Sequence, residues 1–160
     1  MTAHLRSFGP ATRERLHYWL VEGLSAGRRN IERWLADLGT LVSTIDVDGT
    51  MALARTEDME SLVGSSGSGE PVFAGGQDPW ILGAGTADEW VVPRGIRQMA
   101  SAGKKNVVLI GGRLAGTWTI TGSEMRVTWL DGAGPDAPNG LSLQKAATAI
   151  FGDIAVVRVS

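Results

Sequence analysis

Cysteine is absent from the 160 residues, which excludes a disulfide framework, a thiolate metal site and a cysteine nucleophile. Histidine occurs only at His4 and His17, both near the start, so no zinc or other metal site is expected. An excess of either charge is also missing. Fifteen Lys+Arg oppose 17 Asp+Glu, giving a formal net charge of −2 and a pI of about 5.7. So balanced a chain excludes broad electrostatic capture of nucleic acid, which needs a basic face, but leaves room for a local patch. No apolar run approaches the length of a membrane span and no charged-then-apolar segment opens the chain. No membrane association is therefore expected, and a cytoplasmic location is. A phosphate-cradling loop is lacking too. "GSSGSG" has neither the Lys-Ser/Thr ending nor a following helix, and no cofactor is expected.

What is present is a core-forming composition, 43% hydrophobic and 20% charged. "GSSGSGE", residues 64–70, is Gly/Ser-rich and reads as a linker within 63–70. It separates a first domain, 1–62, from a second, 71–160. In the first, "MTAHLRSF" allows barely two helical turns. A second helix follows Thr12, a good N-cap, with Leu16, Trp19 and Leu20 on one side. Arg15 stands where a capping box would need Glu or Gln. A third helix starts after Ser25, carries Ile31, Trp34, Leu35 and Leu38 three or four apart, and ends at Gly39. "LVSTIDVDGTMALAR" then reads as a hairpin turning at Asp48-Gly49. Helix, turn, helix and a two-stranded wing is the order of a winged helix-turn-helix.

In the second domain, strands are expected near 71–74, 80–83, 90–92, 107–111, 114–120, 125–130 and 154–159. Met125, Val127 and Trp129 alternate with Arg126 and Thr128, and Gly111-Gly112 supplies a tight turn. "LSLQKAATAIFG" reads as a helix capped by Ser142 and lined by Leu143, Ala147 and Ile150. The expected class is α+β, a winged helix followed by a small β-barrel or curled antiparallel sheet with one helix near its end.

Three stretches carry a family resemblance: "GPATRERLHYWLVEGLSAGRRNIERWLADLGTLVSTIDVDG", "GGQDPWILG" and "VVLIGGRLAGTWTI". In this order and spacing they resemble the C-terminal portion of the AlkZ/YcaQ-like winged-helix proteins. Asp78 and Pro79 match one family motif, and Gly112, Arg113, Gly116 and Trp118 another. The resemblance implies a DNA-binding protein related to glycosylases that excise alkylated bases and unhook interstrand crosslinks, built from winged helices and a β-barrel. It also implies a catalytic signature of Gln, an apolar residue, then Gln or Asp. Here Gln77 is followed by Asp78-Pro79, Gln98 by Met99-Ala100 and Gln144 by Lys145-Ala146, and none fits. No catalytic residue is therefore assigned, and the expectation is a DNA-binding-type module without catalysis of its own. The alternatives are the C-terminal half of a split glycosylase that needs an N-terminal partner chain, a protein–protein module, or a free-standing hydrolase using Asp78, whose more ordinary role before Pro79 is to fix a turn. A homodimer would serve the same end as the partner chain.

The candidate DNA contacts are Arg28, Arg29, Asn30 and Arg33 on the third helix, the one a winged helix lays in the major groove of double-stranded DNA. Against them stands a solvated surface paired locally with Glu32 and Asp37. Through residue 60 there are 7 Lys+Arg and 9 Asp+Glu, and the turn "DVDG" is acidic. Arg113, with Lys104 and Lys105 in the preceding loop, is a second candidate for phosphates. Its alternative role is to keep a sheet edge soluble.

Overall fold

The structure, a computed structural model, describes the chain apart from residues 24–26, 85–87, 104 and 132–137, and gives the backbone alone for residues 22, 23, 28, 83 and 84. The described residues are α+β with two sheets, and form two compact units. One is built mainly from Met1–Ser66, the other from Gly67–Leu82 and Thr86–Ser160.

In the first unit, helix α1 (Thr2–Phe8) buries only Leu5. Helix α2 (Arg13–His17) begins at Thr12, whose hydroxyl accepts from the Arg15 N–H at 3.2 Å, and widens into a π turn over Tyr18–Gly23. Helix α3 (Arg28–Leu38) has Gly27 as its N-cap residue; Ser25 lies outside the described residues. Ile31 and Leu35 are buried, whereas Trp34 is 39% exposed. At about 100° per residue Trp34 falls at the edge of the arc that Ile31 and Leu35 centre. Strands β1 (Val42–Val47) and β2 (Thr50–Arg55) pair from Val42↔Arg55 to Val47↔Thr50. Asp48 and Gly49 both hold positive φ, 51° and 80°, as a type I′ turn requires, and the Gly49 N–H donates to Asp46 Oδ1 at 2.7 Å. Ala11 exchanges both backbone hydrogen bonds with Leu53, at 3.0 and 2.8 Å, and ties the chain before α2 to the hairpin. Leu5, Ala11, Leu16, Leu20, Ile31, Leu35 and Leu53 form one core, each large member contributing about 1.5–3 kcal/mol by burial. Glu32 of α3 adds a polar tie to α2. It accepts from His17 Nε2 and pairs with Arg13 Nη1, both at 2.6 Å. Helix α4 (Met59–Val63) follows the hairpin.

The second unit holds a five-stranded sheet in the order β3 (Val72–Ala74), β4 (Asn106–Ile110), β5 (Arg113–Thr121), β6 (Glu124–Trp129), β7 (Val156–Val159). It is open, which corrects the expected barrel. It is also not wholly antiparallel, because β7 runs parallel to β6. The connection from β6 to β7 passes through helix α7 (Gly140–Phe151), and a crossover of that kind delivers the next strand in parallel. The outer strands, three and four residues long, do not pair with each other. Two expected strands are corrected. Residues 80–83 lie in helix α5 (Pro79–Ala84), and 90–92 lie in a turn in which the Val91 and Val92 N–H groups donate to the Asp88 carbonyl. Helix α6 (Arg97–Ser101) completes the segment.

Met125 and Val127 of β6 are fully buried against Leu143 and Ala147 of α7, while Arg126 and Thr128 face solvent. The helix is capped by Asn139, whose side chain accepts from the Ser142 N–H at 2.9 Å, not by Ser142 itself. Ile150 is 54% exposed. The stripe runs instead through Phe151, whose ring lies 4.9 Å from Trp118. Gly116 sits opposite Trp129, and a Cβ there would lie 2.9 Å from both the Thr128 carbonyl and the Trp129 ring.

Two predictions follow from these contacts. Gly116→Val forces the indole off β5 and should lower stability by about 1–3 kcal/mol in urea unfolding; an unchanged midpoint contradicts this packing. The Glu32 carboxyl is held below its ordinary 4.5, first by the hydrogen bond from His17 and further by Arg13. A depressed carboxylate stabilises the fold above its unfolded pKa and loses that contribution as pH falls through the folded one. Thermal unfolding should therefore show a steeper loss below about pH 4.5 in the wild type than in Glu32→Gln. Parallel curves contradict it.

Candidate nucleic-acid interface

Helix α3 turns Arg29 and Arg33 to the pole opposite its buried stripe. They stand about 160° and 200° around the axis from Ile31. Arg29, Asn30 and Arg33 are exposed, and Arg33 Nη2 donates to Asn30 Oδ1 at 3.3 Å. Arg28 opens the helix with only its backbone described. Glu32, a local acid that could have neutralised this face, is engaged by Arg13 and His17 of α2 instead. Among the described residues neither Arg29 nor Arg33 forms an ion pair. The first turn of α3 carries no acid. Arg29 thus stands at the positive end of the helix dipole, where a cation costs about 0.3–1 kcal/mol. The hairpin turn is the opposite case, with Asp46 and Asp48 exposed.

In the second unit Lys105 and Arg113 are not brought together. Lys105 precedes β4 and Arg113 opens β5 at its far end, opposite Ile110, so the length of β4 lies between them. Both are exposed; Lys104 lies outside the described residues.

The remaining motif positions shape the second unit. Asp78 Oδ1 accepts from the Trp80 N–H at 2.8 Å and its carbonyl accepts from Ile81 and Leu82, so Asp78 caps α5 and Pro79 takes its first position. Gly111 and Gly112 hold φ of 57° and 80° in the β4–β5 turn. A Cβ on Gly112 would lie 3.9 Å from the Trp80 ring, so the two motifs meet there. The Trp118 indole N–H is shared between the Ala74 carbonyl at 3.2 Å and the Val107 carbonyl at 3.1 Å, stitching β3, β4 and β5.

Asp78, Asp88 and Glu89 each have a partner of their own. Asp78 is committed to its cap, and Asp88, buried at 5% exposure, accepts from the Trp90 N–H at 2.9 Å. Its neighbour Glu89 pairs outward with Arg94 at 2.7 Å. Among the described residues no group of three or more His, Asp or Glu could hold a metal ion, and no helix is long and apolar enough to cross a membrane. His4 packs on Phe8 and Trp19, and burial, with the nearby amino terminus, lowers its pKa. The α2–α3 tie through Arg13, His17 and Glu32 is not readable from local spacing, because its partners lie 15 and 19 residues apart.

The sequence matches the family described as DNA glycosylase AlkZ-like over residues 1–137. It is 33% identical over 129 residues to the interstrand DNA cross-link repair glycosylase of Streptomyces sahachiroi, across 79% of this chain and 34% of that protein. The solved structure of the Streptomyces sahachiroi DNA glycosylase AlkZ superposes with a TM-score of 0.84 at 30% identity, covering 99% of this chain and 44% of that one. The chain thus spans about a third of the curated relative's length and under half of the solved one. With motif order, fold and sequence in agreement, the chain belongs to the AlkZ-like family of DNA glycosylases.

Proposed function

We propose that this chain is a DNA-holding portion of an AlkZ-like glycosylase, corresponding to the family's C-terminal part. In this reading Met1–Ser66 works as a winged helix whose α3 meets double-stranded DNA, with the β1–β2 hairpin as its wing. The carrying observation is the exposed set Arg29, Asn30 and Arg33 on the outer face of α3, its arginines without an ion pair among the described residues and Arg29 placed against the helix dipole. Arginine and asparagine on such a helix can bond phosphates and base edges. The acidic turn at Asp46 and Asp48 keeps the hairpin tip away from phosphates, so α3 carries the contact. Arg113 and Lys105 are secondary contacts at most, being at opposite ends of one strand.

Base excision is not assigned to this chain. Gln77, Gln98 and Gln144 lack the family's Gln-apolar-Gln/Asp signature, and Asp78 and Asp88 accept from backbone amides. Excision then needs a sequence that supplies the signature, such as an N-terminal partner chain. One observation favours a protein-binding role instead: Trp34, on the same helix, is 39% exposed.

Fluorescence anisotropy of labelled duplex across a salt series separates these readings. The DNA reading expects binding that weakens with salt, with the log–log slope shallower by about 2 in Arg29→Ala/Arg33→Ala. Absence of binding at low salt, or a slope the double variant leaves unchanged, overturns it.

A further inference from the structure

The face of the second sheet turned away from α7 carries an arrangement that neither the family motifs nor α3 explains. In the parallel β6–β7 ladder Arg126 stands directly opposite Arg158, and in the β5–β6 ladder Thr119 stands opposite Arg126 and Thr121 opposite Glu124. Like charges directly opposite one another destabilise a sheet. A single carboxylate answers both. Glu124 Oε2 forms an ion pair with Arg158 Nε at 3.0 Å, and Glu124 Oε1 a looser one with Arg126 Nη2 at 3.6 Å. The hydrogen bond from Arg158, with Arg126 adding, holds Glu124 below the usual carboxylate range, so it is ionised at neutral pH. One positive charge therefore remains. Both arginine side chains are 62% exposed, and Arg126 has no hydrogen-bond acceptor among the described residues. Beside them a shallow depression of about 380 Å³ is lined by Thr119, Thr121, Glu124 and Arg126.

We propose that this sheet face is a phosphate-binding site. Arg126 and Arg158, set side by side across β6 and β7, would clasp the oxygens of a phosphate group, and the Thr119 and Thr121 hydroxyls would donate from the neighbouring strand. Planar guanidinium forks match such oxygens two at a time. Glu124 aligns the two guanidiniums and cancels one charge, and the phosphate answers the other. The phosphate can belong to a nucleic-acid backbone or to a small phosphate ligand; the recognition chemistry is the same. The assignment does not rest on the α3 reading.

Amide NMR of the full chain, at constant ionic strength, tests it with two probes: inorganic phosphate and a short single-stranded oligodeoxynucleotide. Saturable shifts at Thr119, Thr121, Arg126 and Arg158 are expected with one probe or both. Saturation by phosphate alone assigns a small ligand, by the oligonucleotide alone a polymer backbone, and by both the phosphate group as such. Arg126→Gln, at an exposed side chain without a hydrogen bond, should fold normally and bind about ten-fold more weakly. Arg29→Ala/Arg33→Ala should leave these shifts intact, which separates this site from α3. No saturation with either probe, or undiminished binding in Arg126→Gln, overturns the site.

Discussion

The engagement of Glu32 by Arg13 and His17 is the interaction on which the character of helix α3 depends. Glu32 sits on the flank of α3, three residues after Arg29, where an acid would ordinarily pair along the helix. Held by two side chains of α2, it ties the helices together beside their shared apolar core, and among the described residues Arg29 and Arg33 have no ion pair. One carboxylate thereby orients the helix and preserves the charge of its outer face. That is how a chain with net charge −2 presents a local cationic surface.

In the second unit the governing constraint is steric. Gly116 exists because the Trp129 ring lies where a Cβ would be, and Gly112 because a turn with positive φ passes beneath Trp80. Trp118 then joins three strands through one indole N–H. Residues that mark the family in sequence are, in space, what lets "GGQDPWILG" and "IGGRLAGTW" interlock. Their presence testifies to fold.

Features set by local chemistry are legible in the sequence. Asp48-Gly49 and Gly111-Gly112 turn as their positive φ demands, Thr12 caps α2, and the alternation of Met125, Val127 and Arg126 separates buried from exposed. Misreadings arise where a local signal has two meanings or where distance decides. Asp78-Pro79 reads as a turn before a strand, yet Asp as cap and Pro at the first position equally begin a helix, and Ile81 is buried on that helix. The direction of β7 follows from the path through α7, so neither the open sheet nor the meeting of Arg126 with Arg158 has a sequence signature. The acidic local balance of the first sixty residues conceals the arginine face of α3, because Glu32 is spent across helices.

Crosslinking tests the central claim, that α3 is the surface that meets DNA. The absence of cysteine permits single-site labelling. Asn30→Cys on α3 and Gln98→Cys on α6, each carrying a photo-crosslinker, are irradiated with labelled duplex at low salt. Crosslinks from position 30 and none from position 98 are predicted. A bound duplex that crosslinks from position 98 and not from position 30 would contradict the account.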